Sequence, residues 1–338
     1  MSESNTKIAV HTPTFKPSNF TYSKSNILYN HQGIDTIRLL AKYDTVAKLC
    51  QRLGLDLTTP KSNTPLSNKL IELNQLSDPS TRYKQDDFKP TLEVVKLSKG
   101  KALSNLMTIT RNTPFLHDHA TQQKKAKGTY CMIEFAGLHQ PTTYIHKEAI
   151  GLISKFLKRK AFKVYSVDVA IDTKDKQPIN YKRKLDVNPV KQHKLKKVVS
   201  HGSSIYINNP KSQNIGRVLY YDKHHKETVH HKKSLSPSLR EWKRLEVTII
   251  PYTDLTPKRV NFIDYINSPH FLDAMADVQQ IAHKQKIRAY DDTYLTYQLN
   301  SFIDNRVMNN KESKKRFNSK ESIERFRQSD FRRYTLAL

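Results

Sequence analysis

The sequence predicts an α+β protein with a mainly antiparallel central sheet, flanking helices and a helical C-terminal region. Runs that alternate apolar and polar residues, such as "SVDVAID" and "KRLEVTII", are typical of strands with one buried face. Short hairpin-sized connections join some of these runs and helical segments join others, which favours an α+β sheet. A hydrophobic content of 37% with only 8 Gly is typical of a globular chain.

The N-terminal elements follow from composition and spacing. Residues 1–30 are rich in Ser, Asn, Thr and Pro without an apolar period, which predicts a flexible arm. A folded domain is expected from residue 31 to 252, opening with a strand in "GIDTIRLL". The next run, "TVAKLCQRLGLDL", has helical spacing and a Gly54 stop. It could be half of a helix-turn-helix, but an amphipathic helix packed on the sheet is the simpler prediction.

The later elements follow in the same way. A helix is expected in "HKEAIGLISKFLKRK". Further strands are expected in "TLEVVKLSKGKAL", "GTYCMIEFAGL", "FKVYSVDVAID", "GSSIYINN", "GRVLYYDK" and "KRLEVTIIP". After Pro251 the pattern becomes helical, with Ser268 as a helix N-cap and Pro269 in the first turn. Residues 253–338 are therefore predicted to form a separate, basic helical region.

The charge of the chain predicts a polyanionic partner. Lys and Arg number 58 against 31 Asp and Glu, a net charge of +27. Each neutralised phosphate releases a condensed counterion, so such a surplus favours nucleic-acid binding. Membrane attachment is the weaker alternative, because we find no apolar run long enough to span a bilayer and no signal peptide. Cys50 and Cys131 are too few for a disulfide framework, in keeping with a reducing cytoplasm.

The positive charge is concentrated between residues 155 and 243, which hold 22 Lys and Arg against 7 Asp and Glu. Runs of charge are usually solvated faces, but here they surround the strands with the unusual residues, which favours a groove that follows the DNA backbone. The predicted DNA-binding residues are Lys158, Arg159, Lys160, Lys182, Arg183, Lys184, Lys196, Lys197, Arg217 and Arg244.

Three strands each carry a carboxylate on their polar face. Alternation separates Glu134, Asp168 and Glu246 from their apolar neighbours, so the three converge if the strands are adjacent. Carboxylates in a DNA-binding surface repel the ligand unless they hold a hard divalent cation, Mg²⁺ or Mn²⁺. The alternative is that each carboxylate pairs with a nearby Lys or Arg.

The strand "GRVLYYDK" carries two adjacent tyrosines. Alternation groups Tyr221 with Arg217 and Lys223, and directs Tyr220 toward the core. Nearby cations ease the deprotonation of a phenol, which suits a nucleophile that attacks a phosphodiester. A half-buried strand tyrosine is the structural alternative, since the chain has 17 tyrosines.

In their order along the chain, "YCMIEFAGLH", "SVDVAID", "GSSIYIN", "GRVLYYDKHHKE" and "REWKRLEVTI" resemble motifs of rolling-circle replication initiators, of the filamentous-phage gene II type and the related plasmid Rep proteins of Gram-positive bacteria. The resemblance implies a Rep-type nicking domain with Tyr221 as nucleophile and Lys223 as the lysine beside it. It also implies that Asp168, Glu246 and Glu134 hold the metal. Ser166 stands where this family has an arginine.

The function that the resemblance implies is a site-specific nicking-closing endonuclease in the cytoplasm of a bacterial host. It would cut one strand of a phage or plasmid origin, with double-stranded hairpin or single-stranded DNA as partner, and leave a 5′-phosphotyrosine and a free 3′-OH. Host helicase and polymerase are further expected partners, and a homodimer is an open alternative. The rival is a non-catalytic, sequence-specific DNA-binding regulator on the same fold. A tyrosine recombinase is disfavoured, because none of the 14 histidines has an arginine three residues later.

Overall fold

A computed structural model describes about half of the chain, and the expected arm at residues 1–30 lies outside the described part. The described residues are 32–55, 57, 91–95, 107–111, 130–139, 147–179, 194–196, 203–208, 214–251, 259–287, 295, 298 and 299.

In the described part of the chain, nine strands form one sheet in which every neighbouring pair is antiparallel, so the predicted fold class is confirmed. The strands are β1 Gln32–Lys42, β2 Thr91–Val95, β3 Met107–Arg111, β4 Tyr130–Ala136, β5 Lys163–Lys174, β6 Lys194–Lys196, β7 Ser204–Asn208, β8 Ile215–Asp222 and β9 Trp242–Ile249. Their order across the sheet is β2-β3-β4-β1-β5-β9-β8-β7-β6. The sequence did not predict β3 or β6.

The described helices are few and mostly short. They are α1 Tyr43–Arg52, α2 Lys147–Leu157, α3 Lys223–His225, which continues as a π-helical turn Lys226–His230, a 3₁₀ turn Pro237–Leu239, α4 Phe262–Ile266 and α5 Pro269–Lys284. As predicted, α1 is followed by Gly54, whose φ of +64° suits glycine. The predicted cap of α5 is also present, since the Ser268 hydroxyl accepts from the Phe271 N–H.

The hydrophobic core lies between the apolar face of the sheet and the helices. On the strands, the alternate residues Val167, Val169 and Ile171 enter this core. Phe156 of α2 packs edge-on against Phe135 of β4, with ring centroids 5.7 Å apart. Helix α1 buries three residues in the same core, Val46, Leu49 and Cys50, as the amphipathic-helix prediction requires. The apolar face is therefore covered, and any site on the sheet must use the opposite, polar face.

Helices α4 and α5 contribute to this same core. Val278 and Ile281 of α5 join the cluster that includes Val247 and Ile249 of β9. Leu295 and Leu299 are buried in it as well. The predicted division at residue 252 therefore does not coincide with a division of the hydrophobic core, because α4 and α5 supply part of the layer that covers the sheet.

A β-bulge in β1 is held by a side chain from far along the sequence. The register against β5 shifts between Ile34 and Thr36, which leaves Asp35 as the extra residue. The buried Gln298 amide accepts from the Ile34 N–H at 2.6 Å and donates to the Ile34 and Leu138 carbonyls at 2.8 Å and 3.2 Å. Backbone groups that the bulge would leave without partners are thereby satisfied.

None of the helices in the described part of the chain is long and apolar enough to cross a membrane.

Replacing the buried amide should weaken the whole domain. We expect Gln298→Ala to lower the free energy of unfolding by about 2 kcal/mol, because buried backbone groups at the bulge lose their partners. Urea denaturation followed by circular dichroism measures the change. Gln280→Ala, at an exposed position of α5, is the matched control and should change the stability by less than about 0.5 kcal/mol. Equal stabilities for the two variants would show that residue 298 does not anchor the bulge.

Candidate functional site

The polar face of the sheet gathers the residues that the sequence singled out. Strands β4, β1, β5, β9 and β8 lie side by side in that order. Glu134, Asp168 and Glu246 all face this side, linked through shared arginine partners. Tyr221 lies on this face too, because an even number of positions separates it from Arg217 along β8. The structure therefore brings the three carboxylates together with the tyrosine on one face, as the alternation predicted.

Arg38 of β1 occupies the space between two of the carboxylates. Its Nε donates to Glu134 at 2.8 Å, and its Nη1 donates to Asp168 at 2.9 Å. Nη1 also contacts the Ser166 hydroxyl at 3.2 Å, and Ser166 is the register partner of Arg38. A guanidinium thus lies beside the position where the resemblance leads us to expect an arginine, but it comes from the neighbouring strand. Arg38 was not among the predicted site residues, although it follows Thr36 on the polar face of "DTIRLL".

Arg217 of β8 pairs with the remaining carboxylate. Its Nη2 lies 3.2 Å from Glu246 and 3.5 Å from Asp168, and its side chain is 32% exposed. Burial alone would raise the pKa of Asp168, but the charges of Arg38 and Arg217 outweigh burial and hold that pKa below its usual value. The pKa of Glu246 is instead raised by burial and by the nearby carboxylates. Glu246 therefore gains a proton more readily than Asp168.

The arrangement of these carboxylates does not fit a bound Mg²⁺ or Mn²⁺. Within the described ranges, no three His, Cys, Asp or Glu side chains are grouped so that they could hold a metal ion. The guanidiniums of Arg38 and Arg217 already pair with at least one oxygen each of Glu134, Asp168 and Glu246, whereas a hard cation needs several oxygens directed at one point. The arrangement matches the alternative hypothesis, in which each carboxylate pairs with a nearby arginine. The requirement for a divalent cation stays a prediction.

A second network lies next to the first, farther along β5 and β9. Asp172 Oδ1 accepts from Trp242 Nε1 and from Arg244 Nε, both at 2.8 Å. Its Oδ2 lies 3.0 Å from His139 Nε2 and accepts from Arg244 Nη2 at 3.0 Å. Burial alone would raise the pKa of Asp172, but Arg244 and His139 hold it far below its usual value.

The prediction that Arg244 binds DNA is inconsistent with its position. The residue is 1% exposed, and its guanidinium is bound on several sides by protein groups. Beyond Asp172, it donates to the His139 carbonyl at 3.0 Å and to the bulged Asp35 at 3.1 Å. Arg244 therefore fastens the turn after β4 and the bulge of β1 to the polar face, and DNA cannot reach it in this conformation.

Tyr221 is more buried than the sequence suggested. The residue is 3% exposed and faces Arg244 across the β8–β9 ladder. Burial raises its pKa well above the usual value, and Arg244 offsets only part of this rise. The expectation that nearby cations make the phenol easier to deprotonate is therefore wrong for this conformation. Tyr220 enters the core as predicted and donates to Asp175 at 2.6 Å.

Lys223, the predicted lysine beside the nucleophile, is locked in a buried ion pair. It is 4% exposed and pairs with Glu227, which also binds Lys233. Burial and the charge of Arg244 lower the pKa of Lys223 to about 8. The lysine above the tyrosine is instead Lys226, whose Nζ lies 4.9 Å from the centroid of the Tyr221 ring. Lys226 was not among the predicted site residues.

The predicted DNA-binding residues do not form one described surface. The exposed Lys158, Arg159 and Lys160 follow α2, whose buried residues pack in the core on the apolar face. Arg217 lies on the polar face, as described above. Lys196 belongs to the edge strand β6. The other predicted contacts, Lys182, Arg183, Lys184 and Lys197, lie outside the described residues.

Comparisons with known proteins add little to this geometry. No protein-family model matches the chain, and none of the curated proteins matches it. Among solved structures, the chain is similar to a rolling circle replication initiator protein from Geobacillus stearothermophilus. The sequence identity is 13%, the match covers 81% of this chain and 96% of that chain, and the TM-score is 0.29. The assignment of function therefore rests on the residues of the site and on the order of the motifs.

Removing the charge of Asp172 should destabilise the protein in a pH-dependent way. We expect Asp172→Asn to lower the free energy of unfolding by about 3–5 kcal/mol at pH 7, because the buried Arg244 would keep Asp35 as its remaining carboxylate partner and lose the closer Asp172. Since the folded-state pKa of Asp172 is depressed, its contribution is present above the unfolded pKa and is lost on acidification. The difference in the free energy of unfolding between Asp172→Asn and the wild type should narrow below about pH 4. Urea titrations over a range of pH measure this difference. Asp273→Asn, at an exposed position of α5, should cause little change, and a gap independent of pH would contradict the account.

Divalent cations should not stabilise the DNA-free protein. Arg38 and Arg217 already compensate the three carboxylates, so Mg²⁺ or Mn²⁺ would have to displace a guanidinium in order to bind. We expect the same melting temperature in EDTA and in MnCl₂, measured by differential scanning calorimetry. A rise with Mn²⁺ that is lost in Asp168→Asn would show that a cation does displace an arginine here.

Proposed function

We propose that the protein is a rolling-circle-type replication initiator that binds origin DNA and nicks one strand by tyrosine transesterification. One observation carries this proposal. The predicted metal ligands and the predicted nucleophile lie on four strands, β4, β5, β9 and β8. Together with β1, these strands form the centre of one sheet. Glu134, Asp168, Glu246 and Tyr221 thereby share a single face, although they are far apart in sequence. A net charge of +27 supports a DNA partner.

In the proposed reaction, Tyr221 acts as the nucleophile. Its phenolic oxygen forms a bond to a backbone phosphorus while the bond from phosphorus to the 3′ oxygen breaks. The products are a 5′-phosphotyrosine and a strand that ends in a free 3′-OH, which a host polymerase can extend. Because the phosphotyrosine keeps the energy of the broken bond, the reverse transfer to a new 3′-OH closes the strand without ATP.

Glu246 is the group best suited to move the proton. It faces Tyr221's side of the sheet, and its charge raises the pKa of the phenol. Its own raised pKa brings it closer to the pH at which a carboxyl exchanges protons efficiently. We propose that Glu246 accepts the phenol proton during attack, while water protonates the leaving 3′ oxygen. Arg217, which is partly exposed beside Glu246, would then stabilise the charge on the phosphate.

A non-catalytic DNA-binding regulator on the same fold is the second candidate. The burial of Tyr221 and the pairing of every predicted metal ligand with arginine favour it. For nicking, the cover over Tyr221 must open when DNA binds, whereas a regulator needs no such movement. The two functions differ in whether the phenolic oxygen is required.

The adjacent tyrosines allow a sharp test. We expect the wild type to convert supercoiled plasmid that carries its own replicon's origin into the nicked form on an agarose gel. Tyr221→Phe should reduce this activity at least about 1000-fold, since it removes the nucleophile. Parallel reactions with Mg²⁺ and with EDTA test the predicted metal requirement.

Tyr220→Phe is the matched control, because it removes a hydroxyl from the core face one residue away. It should lose about 1 kcal/mol of stability but keep the nicking activity. Plasmid that stays supercoiled with the wild type, while the protein still binds origin DNA, would favour the regulator. Equal activity of wild type and Tyr221→Phe would exclude Tyr221 as the nucleophile.

A further inference from the structure

The helical segment after β8 folds back over the tyrosine. Asp222 caps it by accepting from the His225 N–H at 2.7 Å, and the buried Glu227 ties Lys223 and Lys233 together. These contacts fix the backbone between Lys223 and His230, including the position of Lys226. The ammonium of Lys226 lies over the Tyr221 ring, as described above, and its charge also acts on Glu246.

The ammonium of Lys226 differs from those of the lysines around it. Lys223 and Lys233 pair with Glu227, and Lys243 pairs with Asp222. No carboxylate in the described part of the chain forms an ion pair with Lys226, which is partly exposed. Its contact with the tyrosine ring is a cation–π interaction, which is weaker than a charge-assisted hydrogen bond to a phosphate.

We propose that Lys226 covers Tyr221 in the DNA-free protein and moves to a DNA phosphate when a strand enters the polar face. The exchange would uncover the nucleophile at the moment the phosphate arrives beside it. Lys223 cannot take this role, because it is buried and held by Glu227. The inference rests on the proposed function, but its test does not depend on cleavage.

The first measurement is the salt dependence of DNA binding by the full chain. The probe is a fluorescently labelled single-stranded oligonucleotide of mixed sequence, followed by anisotropy over a range of NaCl concentrations. Lys226→Met should bind more weakly and reduce the slope of log Kd against log salt by about 0.7, since one phosphate contact is lost. Lys226→Arg should keep the slope of the wild type, because it retains the cation.

The second measurement is the chemical reactivity of Tyr221 without DNA. Tetranitromethane modifies accessible tyrosines, and peptide mass spectrometry locates the nitrated residue. Tyr221 should be protected in the wild type and in Lys226→Arg, and it should react several-fold faster in Lys226→Met. Circular dichroism shows whether the variants keep the fold.

Lys48→Met is the matched control, because it removes one exposed lysine from α1, which covers the opposite face of the sheet. It should leave the slope and the reactivity of Tyr221 unchanged. An unchanged slope or an unchanged Tyr221 reactivity in Lys226→Met overturns the proposal, and so does an equal loss in Lys48→Met. If these results hold but the wild type does not nick plasmid, the proposed nicking fails while the Lys226 contact stands.

Discussion

The pairing of buried carboxylates with arginines on the polar face is the constraint on which this structure depends. Asp168 lies between Arg38 and Arg217, and Asp172 binds Arg244 through both of its oxygens. Each buried charge is tolerated because it is paired with an opposite charge. In every pair, the partner comes from another strand. The pairs therefore fasten the central strands to one another on the side that the hydrophobic core does not reach.

The same pairing governs what the site can do. The guanidiniums of Arg38 and Arg217 pair with carboxylate oxygens that would otherwise attract a divalent cation. In the proposed function, they also supply positive charge beside the DNA phosphate. Arg244 also donates hydrogen bonds to the His139 carbonyl and to Asp35. These bonds hold the turn after β4 and the bulge of β1 on the polar face of the sheet, where Tyr221 lies. In the proposed function, a reaction at Tyr221 requires the cover on this face to move, which would link catalysis to DNA binding.

The sequence predicted the faces of the strands well and their partners poorly. Alternation has a period of two whatever the fold, so it assigned Tyr220 to the core and grouped Asp168 with Glu246 correctly. It could not reveal Arg38 as the partner of Asp168, because that contact spans 130 residues and depends on strand order. The burial of Tyr221 likewise depends on the helical segment after β8. Glu227 is buried in that segment, but nothing in the sequence distinguishes it from a glutamate on the surface. The shared core of α5 and β9 was also not predictable from the sequence, because a change from strands to helices does not show which surfaces pack together.

The most direct test of the central claim is mass spectrometry of the protein after incubation with single-stranded DNA from its own replicon's origin. If the polar face is a nicking centre, a nucleotide fragment should be attached covalently to the peptide that contains Tyr221, through the phenolic oxygen. DNA binding without any covalent product, or attachment to a residue outside this face, would contradict the account.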